Sequence, residues 1–385
     1  MSQATDRPRL GMRTSSGWVI GRVGGVPVVL APSWLLIAAV LVLLYYPVVS
    51  SYVPRAPTGT VVLTTLAFVV MLFVSVLVHE LAHGLTAAPL GARAREYVVT
   101  FWGGHTAFDR ELPGPGSSAL VSIAGPAANA ALAGLAWLVL ETVGLDRLDI
   151  TAWLVLFAAV IANGIVAAFN LLPGLPLDGG RVLESLVWKI TGDRARGTVV
   201  AAWGGRVVVI GVLLWFLVVP MLRGGRPDLT SVIWVVLLGS FLWAGASQAL
   251  RGAGMQRAAA AVDLRSLAVP TVVLDATASL AAADTVLSGG GAAVVLVHAG
   301  RPVAMLDPSA VAAVPPEHRA TTSLGSVART LAPEQVVAPL TGPSAVAAVA
   351  KAQRHGPAVV LHDGVQVLGV VEVAAVARAM GIRGT

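Results

Sequence analysis

The chain has 385 residues, 56% of them hydrophobic and only 12% charged. Soluble globular proteins carry about twice that share of charge, which excludes a soluble globular protein as the bulk of the chain. The net charge of +6 comes almost wholly from scattered Arg, a pattern of membrane-flanking loops and not of a nucleic-acid surface. Cys is absent, so disulfides and thiolate ligands are excluded and any metal must be held by His, Asp or Glu.

The opening stretch, MSQATDRPRLGMRTSSGW, is polar and basic and lacks the apolar core and cleavage site of a signal peptide. Six apolar stretches follow, near 31–49, 61–88, 117–143, 151–172, 203–222 and 229–248. Each approaches or exceeds the roughly 20 residues that a helix needs to cross a bilayer. They predict a polytopic α-helical membrane domain over residues 1–250. An even number of spans returns both termini to one side. Arg7, Arg9, Arg13 and Arg22 precede the first span, and Arg93, Arg95 and Arg110 follow the second. Arg181, Lys189, Arg194 and Arg196 follow the fourth, and Arg251 and Arg257 follow the sixth. The opposite loops carry only Arg55, Arg147, Arg223 and Arg226. The positive-inside rule therefore puts both termini on the cytoplasmic face of the cell membrane.

Between spans two and three, residues 91–116 include EYVVTFWGGHTAF, whose β-branched and aromatic residues and Gly-Gly break predict a short membrane-associated hairpin or re-entrant element. Irregular backbone at that depth is tolerated where protein buries it or where it lines a wet cavity. Past residue 250 the composition changes. We expect a linker at 251–261 and a soluble α/β unit at 262–385. An internal repeat is visible there: GAAVVLVHAGRPVAMLDPSAVAAV (291–314) echoes GPAVVLHDGVQVLGVVEVAAVARA (356–379). Each copy reads strand, turn, strand, helix, and each follows a helical run. The two halves are expected at about 262–316 and 322–382.

Span two contains His79-Glu80-Leu81-Ala82-His83. His residues four apart share one helix face, the arrangement for two imidazole ligands of one zinc, with Glu80 beside them as a general base. Two His and a Glu are costly in a lipid-embedded helix and normally face a cavity with partners. A third ligand is required, and Asp178 in NLLPGLPLDGG (170–180) has two readings, that ligand or the cap of the helix that follows. Asn129 and Asn170 also have two readings, as amide donors to substrate or an oxyanion and as interhelical hydrogen-bonding groups. His105 in WGGHTAF faces substrate, approaches the metal, or is simply an interfacial polar residue.

HELAH in span two, GPAAN (125–129) in span three and NLLPGLPLDGG after span four together resemble the site-2 protease family, peptidase family M50. The resemblance covers roughly residues 15–250. It implies one Zn2+ per chain held by His79, His83 and Asp178, with Glu80 as base, and cleavage within the transmembrane segment of a membrane-protein substrate. Anti-sigma factors and other single-span regulators are typical targets of such proteins. His105 departs from the usual pattern, in which an apolar residue follows the Gly-Gly. The tail resembles a tandem CBS pair, which implies a regulatory role and association into a homodimer. The Asp that such pairs use for a ribose is missing at the matching positions, Ala310 and Ala375, which argues against an ordinary nucleotide ligand. The competing expectation is a channel, transporter or non-catalytic scaffold gated by the tail. It calls for an acid/base chain across the membrane, whereas the acidic residues here cluster beside the His pair.

Overall fold

The computed structural model describes residues 16–144, 147–287 and 293–382. Arg7, Arg9, Arg13 and the first two residues of the upstream repeat lie outside them. The chain divides into two compact units, Met1–Arg251 and Gly252–Thr385.

Helices dominate the first unit because hydrocarbon offers backbone groups no partners, and a helix satisfies them internally. They are α1 (Ser33–Tyr52), α2 (Thr58–Ala87), α3 (Pro115–Val143), α4 (Ile150–Asn170), α5 (Asp178–Thr191), α6 (Arg194–Leu213), α7 (Val219–Leu222) and α8 (Leu229–Ala260). A π-helical stretch, Leu214–Val218, joins α6 to α7. Six continuous helical segments among the described residues are long and apolar enough to cross a membrane: Ser33–Tyr52, Thr58–Leu90, Pro115–Val143, Ile150–Asn170, Arg194–Leu222 and Leu229–Ala260. The protein is an integral membrane protein. Residues 251–260, expected as a linker, instead continue α8, because GAGMQRAAA holds helix-favouring Ala, Met, Gln and Arg without a Pro.

The unit is apolar outside, and inside it polar side chains sit among small apolar clusters. Leu43, Leu63 and Leu222 face outward, while Ser75, His79, Glu80, Ser122, Asn129 and Asn163 are buried. Lipid solvates the leucines, so polar groups gather at helix–helix contacts.

Against the helices lies a four-stranded sheet in the order β1 (Trp18–Val23), β2 (Val26–Leu30), β3 (Ala94–Thr100) and β4 (Gly103–Phe108). β3 and β4 form the expected antiparallel hairpin. β1 and β2 were not anticipated. They pair antiparallel around Gly24-Gly25, both with positive φ (57° and 84°), and β2 then runs parallel to β3. Adjacent positive-φ residues give the turn whose twist suits a hairpin. β4 is left as an edge strand.

The second unit contains α9 (Leu264–Leu267) and two halves of the same topology. One runs β5 (Thr271–Asp275), α10 (Leu280–Leu287), β6 (Ala293–His298), β7 (Arg301–Leu306), α11 (Pro308–Ala312), and closes with β8 (Ala328–Thr330). The other runs β9 (Val336–Val337), α12 (Gly342–Ala352), β10 (Ala358–His362), β11 (Val367–Glu372), α13 (Val373–Ala379). In both, the first strand pairs parallel to the second and the second antiparallel to the third. Each half has its own core, around Leu280, Leu296 and Leu324 or around Ala345, Val359 and Leu361, and Val295, Val360 and Val370 join them. This is the doubled architecture expected from the repeat.

Candidate metal centre

α2 is 30 residues long. At 1.5 Å per residue, His79 lies roughly 12 Å before its C-terminal end. His79 and His83 are buried on the face turned toward α3. The third acid arrives from elsewhere. α4 ends at Asn170, residues 171–177 turn, and Asp178 opens α5. Asp178 Oδ2 lies 3.1 Å from His79 Nε2, and its Oδ1 lies 3.5 Å from His83 Nε2. The two Nε2 atoms are 3.1 Å apart. Asp178 begins the helix without capping it: its carboxylate points at the His pair, and no side-chain cap bond forms at this helix start.

The hydrogen bonds behind the imidazoles fix what they present to that space. Asn163 Nδ2 donates to the Ala159 carbonyl at 2.9 Å. Its Oδ1 therefore accepts from Asn129 Nδ2 at 2.8 Å. Asn129 Oδ1 is left to accept from His79 Nδ1–H at 2.5 Å. His83 Nδ1–H donates to the Val121 carbonyl at 2.7 Å. A neutral imidazole with its proton on Nδ1 presents a lone pair at Nε2. Two such lone pairs and a carboxylate converge, and no donor lies among them.

The space between them suits a cation. His79, His83 and Asp178 each offer one ligand atom, all within 4.8 Å of one another. Gly125 of α3 faces the same point. A Cβ built there would lie 2.6 Å from His79 Nε2 and closer still to His83 Nε2. Zinc–nitrogen bonds are about 2.0–2.1 Å, so a side chain at residue 125 would fill the space a metal needs. Two His nitrogens and one carboxylate are an ordinary donor set for catalytic zinc, with the fourth position open.

Glu80 belongs to a different wall. β4 crosses behind it: Thr106 Oγ1 donates to Glu80 Oε2 at 2.8 Å, and a Cβ at Gly104 would lie 2.7 Å from Oε1. Side chains alternate along a strand. With positions 104 and 106 turned to Glu80, His105 faces the other way. It lines the cavity, exposed, but is not part of the His79–His83–Asp178 group. Asn170 also lines the cavity. Asn129 does not: it is fully buried, and its Nδ2 hydrogens go to Asn163 and, at 3.5 Å, to the Ser75 carbonyl. No donor remains on it for an oxyanion, so the geometry corrects that reading of Asn129 in favour of its interhelical one.

The cavity measures about 1130 Å³ and is walled by α2, the hairpin, α5 and α8. At its rim, Trp102 of the hairpin tip stacks on Phe241 of α8, centroids 4.8 Å apart. Arg194 ties the exit of the hairpin to α5 through Glu111 (2.5 Å) and Glu184 (3.0 Å). Sequence reasoning does not single out Asn163. Its place behind Asn129 depends on helix rotation, and a buried Asn in an apolar span was the available sign.

The family model for peptidase family M50 matches residues 67–146 and 141–215. The protein named "Putative zinc metalloprotease sll0528" from Synechocystis is 31% identical over 257 residues, 65% of this chain and 64% of that one. The match thus spans less than two thirds of this curated relative's length. Among solved structures, the site-2 protease from Methanocaldococcus jannaschii is 22% identical, covering 61% of this chain and 95% of that one with a TM-score of 0.42. The CBS domain of a bacterial CNNM/CorC family Mg2+ transporter is 11% identical, covering 35% and 86% with a TM-score of 0.28.

Proposed function

The membrane-embedded unit belongs to peptidase family M50, and from that premise we propose that this protein is an intramembrane zinc endopeptidase. The observation that carries the proposal is the convergence of two imidazole lone pairs and a carboxylate, with no donor among them, in a cavity inside a membrane-spanning bundle. His79, His83 and Asp178 are its zinc ligands. When bound, zinc supplies Lewis acidity toward a carbonyl and makes water acidic enough to attack at neutral pH.

The chain's own residues do the rest. Glu80 accepts the proton of the attacking water and delivers it to the leaving amine. Thr106 holds Glu80 Oε2, which leaves Oε1 as the proton-carrying oxygen. The substrate is a membrane protein with a transmembrane segment, single-span regulators such as anti-sigma factors being the class in view. Placing the site in the bilayer brings water to a peptide bond that is otherwise out of its reach. A helical substrate must unwind there, and the free edge of β4 suits an extended chain through strand addition.

Both termini and the tail are proposed to be cytoplasmic, on the charge asymmetry of the loops. The tail is proposed to regulate the membrane unit and to associate with a second copy. The function is tested by reconstituting the full chain with single-span substrates and mapping the new termini by mass spectrometry. Cleavage inside the apolar segment, lost in Glu80→Ala with the substrate still captured, is expected. Cleavage confined to soluble parts of the substrate, or unaffected by Glu80→Ala, would refute it.

A further inference from the structure

Arg206 is a charged residue inside a membrane-crossing helix, away from the cavity. It lies on α6, roughly 18 Å along the helix from Arg194. Its guanidinium carbon sits 4.6 Å from the ring centroid of Trp203 and 4.8 Å from that of Trp243 on α8. One terminal nitrogen donates to Ser247 Oγ at 3.4 Å. No carboxylate pairs with it among the described residues. Its Nε is the one buried side-chain nitrogen or oxygen there without a hydrogen-bond partner. A cation in apolar surroundings without a counter-ion is costly, and such residues normally pair.

The surroundings indicate which anion is missing. Trp203 and Trp243 are 55% and 44% exposed, so the rings flanking the guanidinium lie on the lipid side of the bundle. Ser247 lies one turn before Arg251, at the basic end of α8. Indole rings and basic residues at that level mark the headgroup region. From Arg206 toward the bilayer centre, Val207 and Ile210 on α6, Leu214 at the start of the π-helical stretch and Val236 on α8 are exposed apolar side chains. A charged socket that runs into an apolar stripe matches a phosphate attached to acyl chains better than a free phosphate. A planar guanidinium also suits bidentate recognition of phosphate.

We propose that Arg206, flanked by Trp203 and Trp243 and backed by Ser247, is a binding site for the phosphate of an anionic phospholipid headgroup between α6 and α8. The site stands independently of the catalytic reading. It also adjoins the loop that presents Asp178. Gly204 and Gly205 press against the carbonyls of Pro173 and Leu175, and Gly245 of α8 against Pro176. A lipid bridging α6 and α8 here braces the two helices that hold that loop.

The test uses the full chain purified in mild detergent. Native mass spectrometry counts phosphatidylglycerol and phosphatidylcholine retained by wild type, Arg206→Gln and Arg206→Lys. Thermal unfolding is followed in parallel with phosphatidylglycerol, phosphatidylcholine or inorganic phosphate added. Wild type is expected to hold one phosphatidylglycerol more per chain than Arg206→Gln, with Arg206→Lys between them. Its unfolding midpoint is expected to rise with phosphatidylglycerol alone. Equal retention by wild type and Arg206→Gln overturns the proposal. An equal rise with inorganic phosphate overturns the lipid assignment. Should Arg206→Gln fail to fold, the wild-type comparison decides: no preference for phosphatidylglycerol over phosphatidylcholine refutes the site.

Discussion

The orientation of His79 is set two residues away, at Asn163. The Asn163 amide is fixed by a backbone carbonyl, fixes Asn129 in turn, and so places the imidazole proton on Nδ1. Partners behind a metal ligand typically contribute 10–100-fold in metal affinity. Asn129→Leu is therefore expected to weaken zinc binding by about that factor, with Asn163→Leu weaker in effect and in the same direction, measured by competition with a chromophoric chelator. Unchanged affinity in Asn129→Leu would mean that His79 is held by other means. Gly125→Ala makes a sharper test, because its methyl would occupy the space between the two Nε2 atoms. Loss of zinc with an unchanged far-UV spectrum is expected; full zinc occupancy would show that α3 can retreat from the site. The H-E-x-x-H spacing made the two imidazoles legible from sequence, since helical periodicity alone puts them on one face. The Asn pair was not legible in that role, because it depends on how α2, α3 and α4 are rotated against one another.

Elements divide the labour. Helix α2 carries His79, His83 and Glu80, the proposed ligands and base, together, whereas strand β4 holds Glu80 alone, through Thr106 and the room left at Gly104. Thr106→Val should therefore leave zinc content unchanged while lowering the cleavage rate by roughly tenfold or more, the usual scale for a hydrogen bond to a charged group. Parallel loss of zinc would show that the hairpin supports the whole site instead. The spans could be read from composition because lipid imposes length and apolarity on them. The hairpin was announced by its β-branched run and Gly-Gly break. The strands before it carry the same kind of signal, WVIGRV-GG-VPVVL, between the polar, basic leader and the first span. The pairing of β2 with β3 is non-local, and no local pattern records it.

At the scale of the whole molecule, the membrane unit keeps an apolar exterior and gathers most of its buried polar side chains at helix–helix contacts and around the cavity. The second unit is built as two matching halves, and its repeat was legible because strand and helix periodicities recur in order. Its ligand chemistry is constrained by Asp307, which caps α11. The Ser309 hydroxyl and backbone N–H, at 2.6 and 2.9 Å, both donate to its Oδ1 and hold that carboxylate below its usual range. With Ala310 and Ala375 where a ribose-binding Asp would stand, ATP is expected to leave the protein's thermal unfolding unchanged; a clear upward shift would assign the tail a nucleotide site. The central claim is that His79, His83 and Asp178 form one zinc site, and metal content per chain in detergent-purified protein tests it most directly. About one zinc in wild type and none in His83→Ala or Asp178→Ala is the predicted result. A folded wild type that binds no zinc, or an Asp178→Ala variant that keeps it, would contradict the account.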